Sequence, residues 1–200
     1  MYRLRVVVVF LSAIALALAA ASCGGDGGNG GDGGDSASRT PPDVWAASVC
    51  GTLGDWVSDL QAESQELQPA LRNTRDLEAV KEAFVTFLED AEEGFSEAVD
   101  KVDEVRPPDV PQGEAIHEDF VSALEDAEES FSGAVDKAND LPTNDLQSFS
   151  NGVGELSQDV QENLGAAGKS FNSLSKRFKS TELESATASE PACQQFKTRT

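Results

Sequence analysis

Carboxylates are the most numerous side chains in this chain that could do chemistry. The sequence has 36 Asp and Glu against 15 Lys and Arg, which gives a formal net charge of -21. The acids are densest in two copies of LEDAEE, at 88–93 and 124–129. Calcium sites use such oxygen ligands, but they wrap the ion in a turn that these segments lack. We therefore expect solvated helix faces there and no metal site.

The one histidine is the second group that could do chemistry. Glu114 and His117 match the Glu-x-x-His motif of di-iron helical bundles, which need two such motifs, whereas His117 is the only histidine. Nucleophilic catalysis needs a base beside Ser or Cys, and no G-x-S-x-G motif is present in the sequence. We expect no catalytic constellation and no cofactor, and hence a non-enzymatic protein.

Helices must position these groups, because apolar residues recur three or four apart and do not alternate as in strands. Thr40 or Asp43 can cap the first helix, and Pro69 predicts a kink or break near its end. The apolar stripe of this helix is Trp45, Val49, Leu53, Trp56, Leu60, Leu67 and Leu71.

The next two helices are copies of one another. Residues 84–101 and 120–137 are identical at 14 of 18 positions at an offset of 36. The second helix is predicted over 76–105 and ends at RPPDVPQG. Each copy is one helix plus a turn and not a helix pair, so a solenoid is not expected. The apolar stripe predicted for the second helix is Leu77, Phe84, Leu88, Ala91, Phe95, Ala98, Val102 and Val105, and the one for the third is Phe120, Leu124, Ala127, Phe131, Ala134, Ala138 and Leu141. The offset places His117 opposite Lys81, which indicates a role at the edge of this stripe.

Pro142 and Thr143 separate the third helix from a fourth one. The stripe of this fourth helix is Leu146, Phe149, Val153, Leu156, Val160, Leu164, Ala167, Phe171, Leu174 and Phe178. Short links favour antiparallel neighbours. The fold class predicted is therefore all-α, with one antiparallel four-helix bundle over 43–200 behind a flexible tether over 23–42.

Two aromatic residues and one basic segment have two interpretations each. Trp45 and Trp56 are 11 residues apart and share a helix face, so they either pack in the core or line a ligand site between helices. The segment 169–180 is basic in an acidic chain. It either opposes the dipole at the end of the fourth helix or docks against an acidic helix or an anionic polymer.

The N-terminus has the layout of a secretory signal. Arg3 and Arg5 precede an apolar stretch over 6–21, which is shorter than the roughly 20 residues that span a bilayer. The residues Ala-Ala-Ser-Cys ending at Cys23 resemble the lipobox of bacterial lipoproteins of the actinobacterial type, although Ala20 stands where Leu is usual. The alternative is ordinary signal cleavage after the alanines at 19–21.

The resemblance implies that residues 1–22 are removed and that Cys23 is acylated. Two acyl chains suffice for stable anchoring, here at the outer face of the bacterial cell membrane. Cys50 and Cys193 then remain in an exported setting, and we expect them to pair. A loop of this length would stabilise the fold by roughly 4–5 kcal/mol in the entropic model. The tail over 181–196 must return to the first helix to allow this pairing.

Charge bears most directly on function. A strongly negative field disfavours nucleic acid and anionic headgroups and attracts cations and basic partners. We therefore expect a membrane-anchored envelope module that presents an acidic helical surface to a protein or cationic partner. The alternative is a carrier that holds a small apolar ligand between the helices near Trp45 and Trp56.

Overall fold

The structure is a computed structural model that describes residues 39–73, 76–177 and 180–197. Its helices are α1 (Pro42–Asn73), α2 (Leu77–Asp103), α3 (Gly113–Asn139), α4 (Leu146–Arg177), α5 (Thr181–Ser189) and α6 (Pro191–Lys197). Helices α1 to α4 pack in chain order, each on the next. The all-α four-helix bundle predicted from the sequence is confirmed. The signal segment, Cys23 and the tether up to residue 38 lie outside the described residues.

Helix α1 continues through Pro69, so of the kink or break predicted at this proline, the break is wrong. Pro69 lies one turn before the end of the helix at Asn73 and faces solvent. A proline in a helix interior removes one backbone hydrogen bond and crowds the preceding turn. Because Pro69 is close to the C-terminus and exposed, the helix tolerates both effects.

The duplicated stripe of α2 and α3 forms the centre of the core. The α2 members Phe84, Leu88, Ala91, Phe95, Ala98 and Val102 are buried, as are the α3 members Leu124, Ala127, Phe131, Ala134 and Ala138. The side chain of Asp76 caps α2 by accepting a hydrogen bond from the Glu78 amide at 3.0 Å. The predicted members Leu77, Val105 and Phe120 are half-buried at the margin of the core, and the rest of the stripe was predicted correctly in both copies.

The residues before α1 dock on the turn between α2 and α3. The Thr40 amide donates to the Pro107 carbonyl at 2.8 Å, and the Asp109 amide donates to the Thr40 carbonyl at 2.7 Å. The Arg39 guanidinium lies 3.9 Å from the Asp109 carboxylate. Helix α1 begins at Pro42, so residues 39–42, which were predicted to belong to the tether, are part of the folded body.

A close backbone approach shapes the same turn. Gln112 adopts a left-handed backbone conformation with φ of 61° immediately before α3. A Cβ on Gly113 would lie 1.9 Å from the Pro108 carbonyl oxygen, and Pro108 is fully buried. Only glycine is compatible with this approach at position 113.

Helix α4 begins at Leu146, but the stripe does not start there. The Asp145 carboxylate accepts hydrogen bonds from the Ser148 amide at 2.9 Å and from the Ser148 hydroxyl at 2.8 Å. Both bonds lower the pKa of Asp145, the amide bond having the larger effect. Leu146 is 42% exposed, so its predicted burial is wrong, because this first residue precedes the level at which α4 meets the bundle. The four next stripe members are Phe149, Val153, Leu156 and Val160, all buried; later ones have side chains outside the described residues.

The chain then returns to α1 through two short helices. Helices α5 and α6 pack on α1, and Cys193 forms a disulfide with Cys50, as predicted. Among the described helices, none is long and apolar enough to cross a bilayer.

Candidate functional site

Trp56 forms the floor of a groove between α1 and α2. The indole is 5% exposed and packs against Phe95, with ring centroids 4.8 Å apart, and against Phe131 at 5.7 Å. Its Nε1 donates to the Ala91 carbonyl at 3.2 Å. A Cβ on Gly94 would lie 3.2 Å from Cδ1 of the indole. Small residues on α2 therefore let the indole lie close to the helix backbone.

Carboxylates from both helices line this groove, whose volume is about 180 Å³. Helix α1 contributes Asp55, Asp59 and Glu63, and α2 contributes Asp90 and Glu97. The cation of the groove is Lys101, which pairs with Glu97 at 3.2 Å on the exposed surface. The lining therefore has a clear excess of negative charge.

The environment of Glu63 shows that the electrostatic potential inside the groove is negative. Its side chain is partly buried, and its Oε2 atom is inaccessible to solvent and has no hydrogen-bond partner. Burial raises the pKa of Glu63 above its ordinary value of 4.5, and the nearby charges of Asp90, Asp59 and Glu66 raise it further. Within the described part of the chain, no Lys or Arg lies within 4 Å of the carboxylates of Asp59, Glu63 or Asp90. A cation in the groove would offset this negative potential and bring the pKa of Glu63 back toward its ordinary value.

Trp45 has a different environment, although it shares a helix face with Trp56. It is 4% exposed, and its Nε1 donates to His117 Nδ1 at 3.4 Å. Its ring also meets Phe120 edge to face, with centroids 5.6 Å apart. Trp45 does not line the acidic groove. The two tryptophans therefore pack at separate levels of the bundle.

His117 is a buried connector and not an edge residue, so the position predicted for it is wrong. It is 6% exposed, and its Nε2 lies 3.3 Å from the Asp103 carbonyl oxygen. A neutral imidazole with its proton on Nε2 satisfies both contacts. The apolar stripe of α3 could not predict that His117 is buried, because the side chain that covers it, Trp45, belongs to another helix, α1. An indole N–H that needs a buried acceptor was the available signal.

The acidic repeats divide between two environments. Ala91 and Ala127 are both buried, and the acids around each face outward, as expected. Asp90 nevertheless lines the groove, whereas its counterpart Asp126 does not. In the described ranges, no group of three or more His, Cys, Asp or Glu is placed to hold a metal ion.

The basic segment 169–180 lies mostly outside the described side chains. Before Ser180, only the side chains of Lys169, which is exposed, and Ser173 are described.

Comparisons of the chain with protein-family models, with curated proteins and with solved structures find no match. The function is therefore inferred from the chemistry of the groove and from the N-terminal motif.

Proposed function

We propose that this protein is an exported lipoprotein, anchored through Cys23 to the outer face of the bacterial cell membrane, which binds a cationic protein segment. It acts as a non-enzymatic interaction module. The basis for the anchor is the signal layout over 1–22 and the lipobox-like residues before Cys23. The basis for cation binding is the groove between α1 and α2.

The observation that carries the binding proposal is the convergence of carboxylates from two helices over Trp56. Asp59 and Glu63 of α1 face Asp90 of α2, and burial, together with their mutual repulsion, raises the pKa of Glu63. A bound cation stabilises ionised Glu63 and removes part of that repulsion. The groove is thus charged in advance for a positive ligand.

Lysine side chains suit this groove for two reasons. An ammonium group donates up to three hydrogen bonds, and carboxylates are acceptors that surround it here. The methylene stem of lysine can lie along apolar surface while its charge stays among polar groups, and Leu60 and Ala98 supply such surface in the lining. The net charge of -21 also speeds the encounter with a basic partner over a longer range.

The alternative is a carrier for a small apolar ligand near Trp45 and Trp56. Both indoles are almost fully buried, and each has its N–H bonded within the protein. Apolar carriers need open volume beside such rings. Half of the residues that line the groove at Trp56 are charged, and the groove does not reach Trp45. This packing favours the interaction module over the carrier.

The binding test uses the full chain and a decalysine peptide as the probe. Isothermal titration at low salt should detect binding that weakens steeply as salt is added. The matched pair of variants is Asp90→Asn and Asp126→Asn, because the two aspartates occupy the same position of the repeated LEDAEE segment. Both variants change the net charge equally, but only Asp90 lines the groove.

We expect Asp90→Asn to weaken decalysine binding several-fold and Asp126→Asn to change it less than twofold. Equal losses in the two variants would show that only the overall field attracts the peptide, and the groove would be rejected as the site. The absence of binding at low salt would reject the cationic partner altogether.

The anchor is tested separately on protein extracted from membranes. Its intact mass should exceed the mass of the chain that begins at Cys23 by the mass of a lipid modification. The Cys23→Ser variant should be released from membranes by a buffer wash. A native mass without fatty acid, or a variant that stays membrane-bound, would refute the anchor and leave the groove proposal standing.

A further inference from the structure

The last part of the chain forms a cover over α1, which we call the C-terminal strap (residues 180–197). It consists of α5 and α6, which are nine and seven residues long. Both short helices contact α1 and each other. Sγ of Cys193, which is bonded to Cys50, also lies 3.7 Å from the Ala46 carbonyl oxygen of α1. The strap therefore lies on the N-terminal half of α1.

The strap has its own small apolar cluster, separate from the main core. This cluster contains Ala46, Ala186 and Cys193, with Cys50 packed against it. The main core is built by α1 to α4, and the strap adds to it only the partly buried Leu183 at its margin. The aromatic rings around Trp56 take no part in the strap cluster. The four-helix core is thus largely complete without the strap.

We propose that the Cys50–Cys193 disulfide is a redox-sensitive latch, whose reduction frees the strap from α1 while the four-helix core stays folded. Two alanines and two cysteines form the strap cluster, and alanine buries little apolar area. The covalent bond is therefore the main attachment of the strap. Without it, helices of nine and seven residues fall below the roughly 12–15 residues at which an isolated helix is even marginally stable.

The reductant is a dithiol, and the exchange balances in two steps. Its thiolate attacks Sγ of Cys50, which is partly exposed, whereas Cys193 is buried. The bond between the two sulfurs breaks, a mixed disulfide forms at Cys50, and Cys193 leaves as a thiolate that takes a proton. The second thiol of the reductant then releases Cys50 as a thiol. Two electrons pass from the dithiol, which becomes a disulfide, to the protein.

The experiment is hydrogen exchange of the full chain, followed by mass spectrometry, before and after treatment with dithiothreitol. Alkylation and peptide mapping identify the cysteines that have been reduced. We expect peptides from 181–197 to exchange at least tenfold faster after reduction. Peptides from α2 and α3 should change less than twofold. The double variant Cys50→Ser/Cys193→Ser should show the same pattern without reductant and should not respond further to dithiothreitol.

Three results would overturn the latch. Loss of protection in α2 and α3 together with the strap would show that the disulfide holds the whole domain. Retained protection of 181–197 after complete reduction would show that noncovalent contacts suffice to hold the strap. The absence of a Cys50–Cys193 cross-linked peptide before reduction would also overturn it.

Discussion

Helices α2 and α3 are nearly the same sequence in two environments. Most stripe residues are buried in both copies, although Phe120 is more exposed than its counterpart Phe84, and Phe95 meets its counterpart Phe131 with ring centroids 5.1 Å apart. The outer faces differ. Helix α1 lies over Gly94 and Asp90 of α2 and forms the acidic groove there, whereas Ser130 and Asp126 of α3 are not part of it.

The difference shows that the residues common to both copies do not create the candidate site by themselves, because the site also needs helix α1 beside α2. Four of the 18 aligned positions differ between the copies. One of these differences, Gly94 against Ser130, leaves room for the Trp56 indole on α2. Another, Glu97 against Gly133, gives α2 one more carboxylate in the groove. Substitutions at paired positions can therefore separate what the repeat shares from what the site adds.

The largest loss of stability is expected from substitutions at buried positions that the two copies share. Phe95→Ala and Phe131→Ala each remove a buried ring that packs on Trp56, so each should lower the free energy of unfolding by about 3–5 kcal/mol. Urea unfolding followed by circular dichroism measures both. A cost below 1 kcal/mol in one copy would show that the two stripes are not equivalent parts of the core.

A smaller loss of stability is expected at His117, with almost none at Lys81, its counterpart in the repeat. His117→Ala leaves the Trp45 Nε1–H buried without an acceptor, which costs about 1–3 kcal/mol. Lys81→Ala removes a partly exposed side chain at the matching repeat position and should change stability by no more than about 0.5 kcal/mol. Equal effects in urea unfolding would contradict the connector role of His117.

The next effect concerns charge and depends on pH. Because the pKa of Glu63 is raised in the fold, the stabilisation from its protonation is fully present below the ordinary value of 4.5 and is lost as the pH rises through the folded pKa. Glu63→Gln should therefore raise the free energy of unfolding at pH 7, by about 0.5 kcal/mol after solvent screening, and have little effect at acid pH.

Titration of Glu63 by NMR compares how the paired residues Asp90 and Asp126 affect its pKa. Asp90→Asn should bring the pKa of Glu63 closer to its ordinary value, since Asp90 is the largest of the charges that raise it. Asp126→Asn should leave the pKa of Glu63 unchanged. An equal response to both substitutions would mean that the repulsion is not local to the groove.

The smallest effect comes from exchanging the residues at 94 and 130. Ser130→Gly should cost about 0.5 kcal/mol, the difference in helix propensity between serine and glycine. Gly94→Ser should not give the matching gain, because its Cβ would lie 3.2 Å from the Trp56 ring. Thermal unfolding compares the two. A full gain of stability in Gly94→Ser would show that the indole shifts without cost.

Local pattern was enough to predict the bundle, the duplicated stripe and the Cys50–Cys193 pairing. Apolar periodicity records which face of each helix is buried, and the two distant cysteines outside the signal left one intramolecular pairing. Periodicity does not record where a helix meets its neighbours. Leu146 lies on the correct face of α4 but precedes the level at which α4 meets the bundle. Helix α1 tolerates Pro69 because this proline is exposed and close to the end of the helix.

The groove and the connector depend on pairs of helices, which is why single-helix patterns missed them. The LEDAEE segments predict two equal acidic faces, and only the position of α1 distinguishes Asp90 from Asp126. Trp45 and His117 are 72 residues apart in sequence, so their hydrogen bond has no local signal. The prediction of Cys23 acylation lies outside the described residues and stays a prediction.

The docking of Thr40 on the α2–α3 turn has a mechanical consequence. Its amide and carbonyl are both engaged, with Pro107 and Asp109, on the N-terminal side of α1. A pull along the preceding segment therefore loads these two hydrogen bonds before it reaches the first turn of α1. The α2–α3 turn, and not the first turn of α1, is therefore the first part of the folded body to bear such a load.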